Sequence, residues 1–220
     1  DVADLFVKMK EYVQADIVSS LPLKKSAEII EEMDLPDIVS LFKALNTKLV
    51  SKLLLTVTRK KAGWIVRELG KDSRDFIVHM KTKDANEILY LSKKDPITAG
   101  GIMETKYQKF YFGLKTKHVL DRIKNSSHSE GSISYIYVVD LENKIKGILS
   151  IQNLILADEN KPISSIMAGK AITIKETEFK DDIAVKMEKY HLLALPVVDD
   201  ENRIIGIVTI HEILKNLMIK

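Results

Sequence analysis

IYVVDLENKIKGILSIQNLI, residues 136–155, aligns without a gap on LPVVDDENRIIGIVTIHEIL, residues 195–214, at an offset of 59. Nine positions are identical, beginning at Val138 and ending at Ile151, which is too many for chance over so short a stretch. Each copy reads as a β-branched strand, a polar Asp-x-Glu-Asn turn, a second strand, and a helix that Ser150 or Thr209 starts as N-cap. Upstream of each, helical periodicity recurs in LKTKHVLDRIKN (114–125) and EFKDDIAVKMEKY (178–190), behind an Ile-Met pair at 102–103 and 166–167. The spacing predicts two copies of one strand-helix-strand-strand-helix unit.

The chain ahead of this repeat has another period. Cut into twelves from Glu11, it lines up so that the seventh place is always Ile or Leu, from Ile17 to Leu89, and the eighth is apolar throughout, from Val18 to Tyr90. Helix punctuation falls at the unit ends: Asp34 before Pro36, Asn46 and Thr47, Thr58, Gly70, and Thr82 before Asp84. About two turns of helix per unit are unstable alone, so neighbouring units must stack their Ile/Leu stripes into a superhelical array. Trp64, Tyr90 and the seven methionines mostly fall on or beside apolar stripes and are expected in the core.

Between the two patterns lies TAGGIM (98–103). Adjacent glycines permit a positive φ and a close backbone approach, so Gly100 and Gly101 are expected to turn the chain out of the helical array and against the repeat.

Composition bounds the rest. The 220 residues are 45% hydrophobic and 30% charged, without cysteine, which fits a folded chain in a reducing compartment. No apolar run approaches the roughly 20 residues of a membrane-spanning helix. The chain opens at Asp1 with neither an initiator Met nor a signal peptide and stops directly after the apolar run ILKNLMI, as a piece of a longer protein would. A net charge of +3 gives no argument for nucleic acid, although residues 43–83 hold eleven Lys/Arg against Glu68, Asp72 and Asp75. The five histidines have no metal-ligand spacing, and no G-x-S-x-G, P-loop or G-x-G-x-x-G occurs, so nothing supports an enzyme. Carboxylates remain, and these with carbonyls and water are what Mg²⁺ takes. The candidates are Asp140, Glu142, Asp158, Asp181, Asp182, Asp199, Asp200, Glu201 and Glu212.

Paired modules with PVVD…GIVT before the last helix resemble CBS domains. A helical superhelix joined to them through TAGGIM, followed by YIYVVD, LILAD and LLALPVVD in that order, resembles the cytosolic part of the MgtE magnesium-transporter family over nearly the whole chain. The expected class is therefore α+β multidomain, with an all-α superhelical domain at 1–95, an interdomain turn at 96–101, and a tandem CBS pair at 102–160 and 161–220. The resemblance implies a homodimer through the CBS domains, at the cytoplasmic face of the membrane, attached to a C-terminal transmembrane domain that conducts Mg²⁺. In such proteins bound Mg²⁺ bridges acidic surfaces, compacts the cytosolic part and closes the pore.

Carried over residue by residue, the resemblance places metal ligands at Asp181 and Glu212, and turns the Gly101 carbonyl toward the ion. Family acids are replaced at Phe179, His191 and Lys215, and an acidic pair at one helix start is replaced by Arg59-Lys60-Lys61-Ala62. Cations there oppose the helix dipole, so Arg59, Lys60 and Lys61 are expected to find acids elsewhere, with Asp181, Asp182 and Glu212 as the first choice. CBS pairs also bind adenine nucleotides through a T-x-x-D pattern, which here reads Ser150/Asn153 and Thr209/Glu212. Tyr135, Asn153, Thr209 and Glu212 are the nucleotide candidates. Two alternatives to Mg²⁺ sensing stay open: a nucleotide-sensing CBS module whose helical domain docks another protein, and a scaffold without ligand.

Overall fold

The computed structural model describes residues 2–125 and 135–218. It divides into two compact units, Asp1–Lys94 and Asp95–Lys220.

The first unit is helical: α1 (Val2–Val7), α2 (Glu11–Ser20), α3 (Leu23–Glu32), α4 (Leu35–Ala44), α5 (Thr47–Thr56), α6 (Arg59–Leu69), α7 (Arg74–Ile77) and α8 (Thr82–Ser92). From α2 to α6 the starts fall every twelve residues, as the spacing predicts. The helices alternate between two layers, with α2, α4, α6 and α8 packed in succession in one and α3, α5 and α7 in the other. Side-chain caps form where Asn46 Oδ1 accepts from Lys48 N (2.9 Å) and Thr58 Oγ1 from Lys61 N (3.3 Å). Asp34 precedes α4 without such a bond, and Pro36 stands in the first turn, where its missing N–H costs nothing.

Val18, Ile30, Phe42, Leu54 and Val66 are buried, so the eighth place carries the core through five units. The register then slips. Gly70 leaves α6 at φ 54° into a 3₁₀ turn over Gly70–Ser73, and α8 begins one residue early, at Thr82. Phe76, Ile88 and Leu91 take the buried places, whereas Val78 is 73% and Tyr90 40% exposed, against the expectation for Tyr90.

The second unit holds α9 (Ala99–Ile102), then β1 (Lys109–Tyr111), α10 (Thr116–Asn125), β2 (Tyr135–Val139), β3 (Ile145–Ser150) and α11 (Ile151–Leu156). The second copy gives β4 (Ile174–Lys175), α12 (Lys180–Tyr190), β5 (Ala194–Val198), β6 (Ile204–Thr209) and α13 (Ile210–Met218). Each forms a three-stranded sheet, β1-β2-β3 and β4-β5-β6, parallel in the first pairing and antiparallel in the second. This is the predicted repeat unit. Ile136 and Val138 of β2 face the core of their own module with Phe110, Val119, Leu149 and Leu154. Tyr137 and Val139 point the other way, against Val198 and Ile204. A strand buried on both faces does not alternate in sequence, which is why YIYVV reads as a continuous apolar run.

The modules are tied by exchange. The segment leading into the first module pairs with the second, through Glu104 and Ile207, and the segment leading into the second pairs with the first, through Ile148 and Ala168. Glycine is needed at the crossings, since a Cβ on Gly206 would lie 2.6 Å from the Met103 sulfur and one on Gly147 2.7 Å from that of Met167. The second residue of each Ile-Met pair thus lies over a glycine of the other module's sheet. The two hairpin turns also bond reciprocally, Ile145 N to Asn202 O and Ile204 N to Asn143 O, each at 3.1 Å.

Gly101 departs from expectation. Neither it nor Gly100 has a positive φ; both lie in α9. The close approach is real, because a Cβ on Gly101 would fall 2.0 Å from the Asp95 carbonyl oxygen. The helix is docked on the second module by Ala99 N to Glu178 O and Gly100 N to Glu176 O, both 2.8 Å.

Candidate functional site

The basic start of α6 finds its partners within the helical unit. The Arg59 guanidinium bonds Asp84 (2.9 Å) and Glu87 (3.2 Å) on α8 and the Leu55 carbonyl (3.2 Å). Lys61, 9% exposed, donates from Nζ to the carbonyls of Met33 (2.7 Å) and Glu31 (3.2 Å), capping the end of α3. Lys60 Nζ sits 5.5 Å from the centre of the Trp64 ring. The Glu31 carboxylate accepts from the Thr58 N–H, so an anion from another helix supplies what the α6 dipole lacks in its own first turn. Arg59 and Lys61 thus have partners other than Asp181, Asp182 and Glu212. Sequence reasoning missed Glu31, Asp84 and Glu87, because a pairing across 25 to 28 residues has no local signal.

Several carboxylate candidates are turn formers. Asp140 accepts from the amides of Glu142 (3.0 Å) and Lys144 (2.8 Å), and Asp199 from those of Glu201 and Arg203 (both 2.9 Å). The Lys146 ammonium, foremost, and these amides hold the Asp140 carboxyl below its ordinary value. For Asp199 partial desolvation pushes upward, but the Arg203 amide and guanidinium and the Glu201 amide outweigh it, and the net direction is down. Glu201 pairs with Arg203 and Asp200 with Lys175.

The predicted metal residues do not form a cage. Gly101 is buried in α9, Asp181 is exposed in the first turn of α12 beside Asp182, and Glu212 is 5% exposed in the first turn of α13. Among the described residues no group of three or more His, Asp or Glu is arranged to hold a metal. Asp181 and Asp182 are adjacent exposed carboxylates in the first turn of α12, of the kind that Mg²⁺ takes one or two of beside its retained waters.

The nucleotide candidates fall on two equivalent junctions. At the β3–α11 junction, Ser150 Oγ caps Asn153 N (3.0 Å) and Tyr135 pairs with Ser150 across the sheet. At the β6–α13 junction, Thr209 Oγ1 caps Glu212 N (3.3 Å) and Ala194 stands where Tyr135 does. The leader crossing β3 at Ile148 is Met-Ala-Gly-Lys-Ala (167–171), and that crossing β6 at Ile207 is Met-Glu-Thr-Lys-Tyr (103–107). Ala168 and Gly169 are exposed, and a Cβ on Gly169 would meet nothing within 4 Å. Between the modules, Tyr107 packs edge-on against Tyr137 with ring centres 5.9 Å apart and bonds the carbonyl of Ile204 (2.9 Å), at the end of β6 away from Thr209. Burial raises the Tyr107 hydroxyl to about 12. Burial, then the neighbouring Tyr135, Glu104 and Tyr107, raise that of Tyr137 further.

A model of the MgtE intracellular N domain matches residues 1–72, and a CBS domain model matches 163–219. This is the helical N domain and CBS pair of the MgtE family. The magnesium transporter MgtE of Thermus thermophilus is 34% identical over 58% of the chain, and that of Bacillus subtilis 22% identical over 97%. The chain spans 28% and 50% of those two relatives. Among solved structures, the cytosolic domain of the Mg²⁺ channel MgtE in complex with ATP superposes with a TM-score of 0.88 at 25% identity, covering 98% of this chain and 88% of that one. Among the described residues no helix is long and apolar enough to cross a membrane.

Proposed function

We propose that this chain is the cytosolic, regulatory and non-catalytic part of an MgtE-type magnesium transporter, responding to an adenine nucleotide and to Mg²⁺ and passing that response to a membrane domain. The observation that carries this reading is the joint presence of both units, in family order, with a TM-score of 0.88 to an MgtE cytosolic domain. The nucleotide belongs at the β3–α11 junction, where Tyr135 offers a ring and Ser150 and Asn153 offer polar contacts. The ATP in the similar solved structure supports this choice of ligand. Mg²⁺ is read by few groups, with Asp181 and Asp182 as the anchors, so its site is hydrated and weak. Exposed Ile155 and Leu156 on α11, Val185 on α12 and Leu214 on α13 support a homodimer through the CBS helices.

Titration calorimetry with ATP, and separately with MgCl₂ after chelation, tests both ligands. ATP binding that Tyr135→Ala and Asn153→Ala abolish, and Mg²⁺ binding in the millimolar range that Asp181→Asn weakens, are the expected results. A protein that binds neither would be a ligand-free scaffold.

A further inference from the structure

The second unit opens with a compact hook, residues 95–102. The Asp95 carbonyl accepts from Thr98 N (3.0 Å) and Thr98 Oγ1 (2.8 Å), and the Asp95 carboxylate from Ile97 N (3.2 Å). The hook lies along the start of α12: Ala99 N donates to Glu178 O and Gly100 N to Glu176 O (both 2.8 Å), Lys180 N donates to Ile97 O (2.9 Å), and Thr98 pairs with Phe179. The leader of the second module lies on the first in the same way. There Ile163 N donates to Leu114 O (2.9 Å), Ser164 N to Phe112 O (3.2 Å) and Thr116 N to Lys161 O (2.9 Å), and Pro162 pairs with Lys115. Hook and leader residues are 64 apart in sequence, as are the residues that receive them, so Glu178 stands where the first module has Leu114. Leu114 packs against the core of its module. The partly buried Glu178 carboxylate instead accepts from Lys175 N (2.9 Å) and pairs with Lys186 Nζ on α12.

We propose that Glu178 and Lys186 form a polar latch that holds the hook on the second module, so that the segment leading to the helical unit can lift from α12 while the Glu104–Ile207 pairing behind it stays closed. Glu178 is the positioning residue: Lys186 fixes its carboxylate, and its carbonyl receives the hook. This rests on the regulatory reading above and names the route by which a response in the second module reaches the helical unit. An apolar side chain in a core makes a permanent joint, whereas an ion pair open to water contributes little and gives way easily. One geometry thus carries fixed chemistry at the joint within the CBS pair and releasable chemistry at the joint to the helical unit.

Hydrogen exchange of single amides, read by NMR on the whole chain without ligand, tests the latch independently of the ATP and Mg²⁺ titrations. Glu178→Gln and Lys186→Met should each speed exchange at Ala99, Gly100 and Lys180 by one common factor of about five, because a single opening exposes all three. Lys186→Arg keeps the charge and should match wild type. The Glu178→Gln/Lys186→Met double variant should be no faster than either single one, since both remove the same pair. Thr116, Ile163 and Ser164, the equivalent amides around Leu114, should not change in any variant. Unchanged exchange at the hook in either single variant, a double variant faster than both, or equal acceleration at the two joints would overturn the latch and leave the regulatory reading to its own titrations.

Discussion

Replacing Lys61 with methionine separates a cap inside the helical unit from a docking charge on its surface. The stem of Lys61 is buried and methionine nearly fills it, so the perturbation is the loss of the ammonium. Two bonds disappear, to the carbonyls of Met33 (2.7 Å) and Glu31 (3.2 Å), and those carbonyls at the end of α3 lose their donor. Bonds to a charged donor contribute about 1.5–3 kcal/mol each, and relief from holding an ammonium out of water returns part of that. A net loss of about 2 kcal/mol is expected, which in a domain of this size lowers the melting temperature by roughly 8–16 °C. Circular dichroism at 222 nm on the chain reads it directly. Because the bonds are shielded from solvent, 0.5 M NaCl should change the difference between the two proteins little. A Lys61→Met protein that melts with wild type, or a difference that salt abolishes, would refute the cap and return Lys61 to the surface.

Gly101→Val places a Cβ 2.0 Å from the Asp95 carbonyl, so α9 must shift, and a loss of more than about 1 kcal/mol is expected from urea unfolding; an unchanged midpoint would show that the backbone yields freely. His191 closes α12 in the left-handed region at φ 51°, and His191→Gly should stabilise by about 1 kcal/mol in the same assay. Asp140 and Asp199 have depressed carboxyl values, so their contribution is complete above their ordinary value of 3.8 and is lost as pH falls through the folded one. The Asp140→Asn/Asp199→Asn variant should therefore be less stable near pH 6 and should unfold in acid with a shallower slope than wild type; equal slopes would remove both groups from the acid transition.

Much of this was legible in the sequence because short-range pattern dictates it. A twelve-residue period placed five helix starts, and a 59-residue offset gave both sheets. The helical register failed after Gly70, where one left-handed residue and a 3₁₀ turn displaced the apolar stripe without changing its spacing. Charge was read less well than shape. Arg59 and Lys61 look unsatisfied when only the first turn of α6 is considered, yet the structure meets them with α8 and with the end of α3, both distant along the chain.

The same limit hides the inequality of the two CBS modules. Alignment rewards identities, and those from Val138 to Ile151 draw the eye to what the copies share. A binding site in such a pair is decided by the positions that differ, and here the differences of bulk cluster. Tyr107 and Tyr137 lie 30 residues apart, in a leader and a strand, and become neighbours because β1 pairs with β2, where Tyr137 N donates to the Gln108 carbonyl (3.0 Å). Each Gly-Met crossing fixes a leader antiparallel to a strand of the partner sheet, so whatever follows the methionine is carried toward that strand's hairpin end and into the intermodule core. After Met167 that is Ala-Gly-Lys-Ala, and after Met103 it is Glu-Thr-Lys-Tyr. A duplicated fold can therefore pack an asymmetric intermodule core without altering a strand, by substitution in a five-residue leader and at one position of β2.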